Sequence, residues 1–145
     1  MQLPLASPPL DKNGDVVPHD HAEILDAHGV LRRISPHHFV KDEKSPAGRR
    51  LSSLAFQASS GENGGMSVDL ENSILEAGHD PRQYVVQPPF IGAVRFTAIG
   101  LRNLGFKVGY HPVPGNDHHG EVWGEFTGAK KKQLLTLAVS YVEPT

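Results

Sequence analysis

The chain has 145 residues, 38% of them hydrophobic and 7% aromatic, with 15 Gly, 12 Pro and no cysteine. That length suits one domain burying roughly 70% of its unfolded surface, and the lack of cysteine excludes disulfides, thiolate chemistry and Cys-type zinc sites. With 14 basic and 16 acidic side chains, the formal charge of -2 argues against broad electrostatic capture of nucleic acid or of an anionic membrane.

Residues 1–20 hold four prolines and little periodicity, the pattern of an arm that either lies on the domain or is disordered. The first fourteen residues show neither a basic nor an apolar leader region, and no window approaches the roughly 20 apolar residues of a membrane span. A soluble, cytoplasmic protein without a membrane partner is expected. "DHAEILDAHG" (20–29) reads as one or two helical turns closed by Gly29, and "VLRRI" (30–34) as a strand stopped by Ser35-Pro36. The charged run 41–49 is expected as a surface loop, "RLSSLAF" (50–56) as a half-buried strand, 57–65 as loop and "MSVDL" (66–70) as a strand.

Asp69 stands where an N-cap would stand for a helix ending at Gly78. Asp80 followed by Pro81 is a second helix start. "IGAVRFTAI" (91–99) is the clearest strand, "GLRNLGF" a helical turn and "KVGYH" (107–111) another strand. A Pro-Gly-Asn-Asp turn and the strand "GEVWGEF" follow, and residues 127–142 read as one helix capped by Thr127. Short strands alternating with short helices, too closely spaced for crossover units, predict an α+β fold. The expected architecture is a single compact domain over 21–145, with a small mixed or antiparallel sheet, short helices and the Pro-rich N-terminal arm.

The candidate site residues come from polar positions near strand ends, where sites commonly form. His118 and His119 are adjacent, so a strand would point them to opposite faces. His111 could meet His119 across the turn, with Glu121 beside it; no metal site is favoured, and His111 with His119 would hold one if any is present. Arg33 or His37 could hold a phosphate or carboxylate. Ser52, Ser53 and Ser67 lack a nucleophile-elbow sequence around them and suit a polar cleft better.

Three blocks occur in order, "RRISPHHF", "RLSSLAF" followed by "MSVDLE", and "LGFKVGYHPVPGNDHHGEVWG". Together they resemble a family of small uncharacterised bacterial proteins, matched here by Arg33, Ser52, Ser53, Phe56, Ser67, Asp69, Pro112, Pro114, Asn116 and His119. That resemblance implies no activity. The order Arg, Ser, Glu is also similar to that of ADP-ribosyltransferases, which would imply Arg33 on NAD phosphates, Ser52 bracing the nicotinamide half and Glu121 or Glu125 activating the acceptor.

Two classes of function follow. One is a small binding protein, acting through a polar cleft or a protein partner, with Arg33, Ser53, Ser67 and Asn116 as ligand-binding residues. The other is a small nucleotide-using enzyme, ADP-ribosyltransferase-like or a hydrolase, built on Arg33, Ser52 and His119 with His37 and Glu121. Nucleic-acid binding through Arg32, Arg33, Arg49, Arg50 and Lys130 to Lys132 ranks last. The sequence specifies neither a cofactor nor an oligomeric state.

Overall fold

A computed structural model describes residues 3–59 and 63–144; residues 1–2 of the arm, 60–62 of the 57–65 loop and 145 at the end of the domain lie outside it. The chain is α+β and its sheet is antiparallel throughout. The strands are β1 (Gly29–Ile34), β2 (Phe39–Lys41), β3 (Arg49–Leu51), β4 (Met66–Leu70), β5 (Gly92–Thr97), β6 (Lys107–Tyr110), β7 (His119–Trp123) and β8 (Val139–Val142). The α-helices are α1 (Glu71–Glu76), α2 (Pro81–Tyr84), α3 (Ala98–Asn103) and α4 (Gly128–Leu137). Six strands form one sheet in the order β6-β7-β4-β1-β5-β8, while β2 and β3 pair as a separate hairpin. No helix among the described residues is long and apolar enough to cross a membrane.

The period-2 pattern sorts the side chains onto two faces. On one, Val30, Ile34, Met66, Val68, Leu70, Phe96, Val108 and Val122 meet Phe56, Leu101, Phe106 and Leu134 in the main core. On the other, Leu31 and Ala93 pack against Ile74 of α1 and Val85, the residue that closes α2. β1 lies inside the sheet and is covered on both faces, which is why its Val30 and Leu31 are fully buried.

Several sequence-based expectations change. Only Arg50 and Leu51 of the 50–56 segment are strand, as the end of β3; Ser52 then caps a 3-10 turn over Ser53–Ala55, its hydroxyl accepting from Leu54 N at 3.1 Å. The 41–49 segment is the surface loop expected, and it connects β2 to β3 as the turn of their hairpin. The helix expected over 127–142 stops at Leu137, because Val139, Tyr141 and Val142 are β-branched or aromatic and pair as β8 along β5. Residues 20–29 form turns instead of helix, and Gly29 begins β1.

The described part of the N-terminal arm lies on the domain. His21 N donates to Val108 O at 2.9 Å, Asp20 Oδ1 accepts from Val108 N at 3.0 Å, and His19 Nε2 accepts from Tyr110 N at 3.1 Å. These contacts satisfy the outer edge of β6, which would otherwise present unpaired backbone groups. Arg102 on α3 clamps the segment, contacting Asp20 at 3.0 Å, Asp26 at 2.8 Å and the Ile24 carbonyl at 2.6 Å. Arg102→Ala is expected to lower stability by about 1–2 kcal/mol and to make Lys12 more sensitive to limited trypsinolysis, while the far-ultraviolet circular dichroism is retained. An unchanged digestion pattern would show that the clamp does not hold the arm.

Candidate functional site

The strongest polar concavity arises where two neighbouring strands separate. β1 and β4 pair at Val30 with Leu70 and at Leu31 with Asp69, and then part. Arg32 takes the place of the missing rungs: its guanidinium donates to Ser67 O at 2.9 Å and to Ala55 O at 3.0 and 3.2 Å. The resulting cleft, about 450 Å³, is lined among others by Arg32, Arg33, Ser35, His38, Asp69 and His119.

Arg33 sits one residue further along β1 and reaches the other side of the wedge. Its Nε donates to Asp69 Oδ2 at 2.7 Å, and Nη2 contacts Oδ1 at 3.3 Å. The guanidinium also lies 5.6 Å from each of the Tyr84 and Phe90 ring centres. Asp69 therefore does not cap α1: Leu70 takes the cap position without a side-chain bond, and the Asp69 carboxylate is spent on Arg33 and on Asn116 Nδ2 at 2.9 Å. Asn116 Oδ1 accepts in turn from Tyr84 OH at 2.6 Å and from His118 N at 3.1 Å.

The turn that carries Asn116 follows from its sequence. Val113 and Asn116 exchange backbone hydrogen bonds, Pro114 fills the first central position and Gly115 adopts φ of 85°, open to glycine at no steric cost. This tight turn fixes the backbone of Asn116 and delivers its amide to Asp69.

Two histidines complete the wall. His119 opens β7 opposite Asp69, and its Nδ1 lies 2.7 Å from the carbonyl oxygen of its neighbour His111. His38 Nδ1 accepts from Ser35 N at 3.0 Å across a single 3-10 turn. Burial lowers the pKa of both rings; for His119 the bond to His111 and the charge of Asp69 oppose that shift, while Arg33 reinforces it. For His38 the charge of Arg32 and the neighbouring His37 add to the effect of burial.

Of the residues singled out from sequence, Arg33, Ser67, Asn116 and His119 line the cleft. Ser52, Ser53 and His37 do not line it: Ser52 and Ser53 belong to the 3-10 turn before Phe56, and His37 is exposed while its neighbour His38 turns inward. Glu121 is buried on the same sheet face, opposite Ser67, outside the cleft lining. His118 points elsewhere and is buried with Ser73, whose Oγ lies 2.6 Å from its Nδ1. His111 and His119 bring their Nδ1 atoms to 3.2 Å, but among the described residues no three His, Asp or Glu side chains are grouped to hold a metal ion. Arg49 and Arg50 stand on the β2–β3 hairpin, Arg49 over Phe39 at 4.5 Å and Arg50 3.5 Å from Asp42.

Sequence reasoning missed Asp69, Arg32 and His38 as members of this site. Asp69 shares the strand parity of Ser67, which is a usable signal; the cap pattern masked it. Ser35 and His38 have the three-residue spacing of a capping box, and that spacing selects His38 over His37. Arg32 carried no such signal, because adjacent strand residues face opposite ways unless the strands part.

Arg32 also sets the electrostatics. Burial pulls its pKa below the ordinary value, and no carboxylate among the described residues pairs with it. Three of its five N–H groups go to neutral carbonyls. With Arg33 balanced by Asp69, the lining keeps one uncompensated positive charge. Compared with protein-family models, with curated proteins and with solved structures, the chain matches none.

Proposed function

We propose that this protein binds a small anionic molecule, a carboxylate or phosphate, in the cleft between β1 and β4. The observation that carries the reading is Arg32, a half-buried guanidinium with only neutral carbonyl partners on the wall of a polar cavity. Removing a cation from water without an opposite charge is costly, and a bound anion offsets that cost. Arginine also offers the planar fork that matches carboxylate and phosphate oxygens. A volume of about 450 Å³ falls within the roughly 300–1,000 Å³ of ordinary small-molecule sites. A cytoplasmic location belongs to the same proposal and rests on the cysteine-free composition.

The test is thermal stabilisation by inorganic phosphate and by succinate at constant ionic strength. At ten times the dissociation constant a ligand adds about 1.4 kcal/mol to stability, so wild-type protein is expected to melt several degrees higher with at least one of the two. Arg32→Gln is expected to abolish that shift. Equal shifts in both proteins, or none in wild type at high millimolar concentration, would refute the reading.

A further inference from the structure

We infer that the anion bound in this cleft also carries a hydroxyl group, which donates a hydrogen bond to Nε2 of His119. The inference rests on the anion reading and narrows it to hydroxylated small anions, a chemistry shared by phosphorylated polyols and hydroxy acids.

The argument is one of donors and acceptors. A backbone carbonyl can only accept, so the 2.7 Å contact between His119 Nδ1 and His111 O requires the proton of His119 to be on Nδ1. Nε2 of the neutral ring is then a bare lone pair, and no described residue donates to it. His38 has the opposite arrangement. Its Nδ1 accepts the Ser35 amide at 3.0 Å, so its proton is on Nε2 and the ring acts as a donor. Because losing the Ser35 bond would be the condition for charging His38, that ring serves as a neutral donor to a ligand oxygen.

The carboxylate and amide of the wall are already matched to one another, while the Ser35 and Ser67 hydroxyls can donate as well as accept and so impose no acceptor on the ligand. Both oxygens of Asp69 are taken by Arg33 and Asn116, and both ends of the Asn116 amide are occupied by Asp69, Tyr84 and His118. Arg32, Arg33 and the His38 Nε2–H offer donors, which suits an anion. Of the cleft's side-chain nitrogens, His119 Nε2 alone offers an unused acceptor among the described residues. A bare anion can leave it only to water, whereas a hydroxyl on the same molecule satisfies it, and sites built to bond a hydroxyl discriminate strongly against its absence. Burial of His119, which disfavours its charged form, keeps this acceptor available at neutral pH.

Long-range proton–nitrogen correlation spectra of nitrogen-15-labelled protein at neutral pH read the protonated nitrogen of each ring directly. The expected pattern is Nδ1–H for His119 and Nε2–H for His38, assigned with His119→Phe and His38→Gln. Two matched probe pairs then follow by calorimetry or chemical-shift titration: glycerol 3-phosphate against propyl phosphate, and lactate against propionate. In wild type the hydroxylated member of the pair that binds is expected to be about tenfold tighter, the worth of one hydrogen bond of about 1.4 kcal/mol. His119→Phe is expected to bring that ratio to about one.

The phosphate and carboxylate arms separate the two sources of the anion. A protonated Nε2 on His119, or equal affinities within both pairs in wild type, would overturn the hydroxyl inference and leave the anion reading standing. If none of the four probes bound wild type, or if all bound Arg32→Gln equally well, the anion reading itself would fall and this inference with it.

Discussion

Asp69→Leu is expected to destabilise the protein by about 3 kcal/mol, read as a lower urea midpoint at neutral pH. The carboxylate side chain is 4% exposed and its arginine partner 20%. Removing it strands the Arg33 guanidinium and the Asn116 amide donor together, and breaking a buried pair from one side costs about 3–5 kcal/mol. The lower end applies because Arg33 keeps some water and the faces of Tyr84 and Phe90. The double variant Arg33→Met/Asp69→Leu removes both charges, and is expected to recover at least about 1 kcal/mol of the loss. A single variant within about 1 kcal/mol of wild type would show that the ion pair is replaceable and that the wedge is held by packing alone.

Replacing Glu121 with glutamine is expected to act in the other direction. Glu121 is 6% exposed, and burial pushes its carboxyl up to about 7, with the backbone N–H of Gly65 offsetting part of that rise. Below the ordinary carboxyl value of 4.5 both folded and unfolded chains hold the proton, and no penalty exists. As pH rises from 4.5 to about 7, only the unfolded chain releases it, so stability falls. Above about 7 both states are ionised and the penalty levels off at roughly 3 kcal/mol, from about 1.4 kcal/mol for each pKa unit. Glu121→Gln is therefore expected to exceed wild type by up to about 3 kcal/mol in alkaline buffer and to match it in acid. His119, His111, His118, His19 and His38 have lowered values and contribute stability that rises with pH, so the informative quantity is the difference between the two curves. Parallel curves would mean that Glu121 is ionised in the folded state throughout that range.

The fold was legible from sequence where local pattern and tertiary environment agree. "MSVDL", "GAVRFT" and "KVGY" are strands at those positions because their alternation matches the burial the sheet imposes. Pattern failed where a local signal had two meanings. Asp69 before a helix looks like a cap, yet its carboxylate faces Arg33 thirty-six residues away, a pairing that local spacing does not encode. The run from Val139 to Val142 continues a helical pattern, and its strand character depends on a vacant edge at β5. Within the candidate site, Arg33, Asn116 and His119 could be named from polar residues near strand ends. Arg32 could not, because its role follows from the parting of β1 and β4 after one shared pair of rungs.

The arm laid along β6 has a consequence for self-association. A β-sheet recruits further chains through open edges, and this one has its β6 border occupied by side chains and one amide of residues 19–21. Growth of the six-stranded sheet by strand addition is thus restricted to the β8 border, where Val139 is 64% exposed. A sheet with a single open border can join one other like it through a two-fold axis, and the joined sheet then has no open border left. For the six-stranded sheet the topology thereby limits edge-to-edge pairing to a closed couple and denies it the repeating contact from which fibres are made.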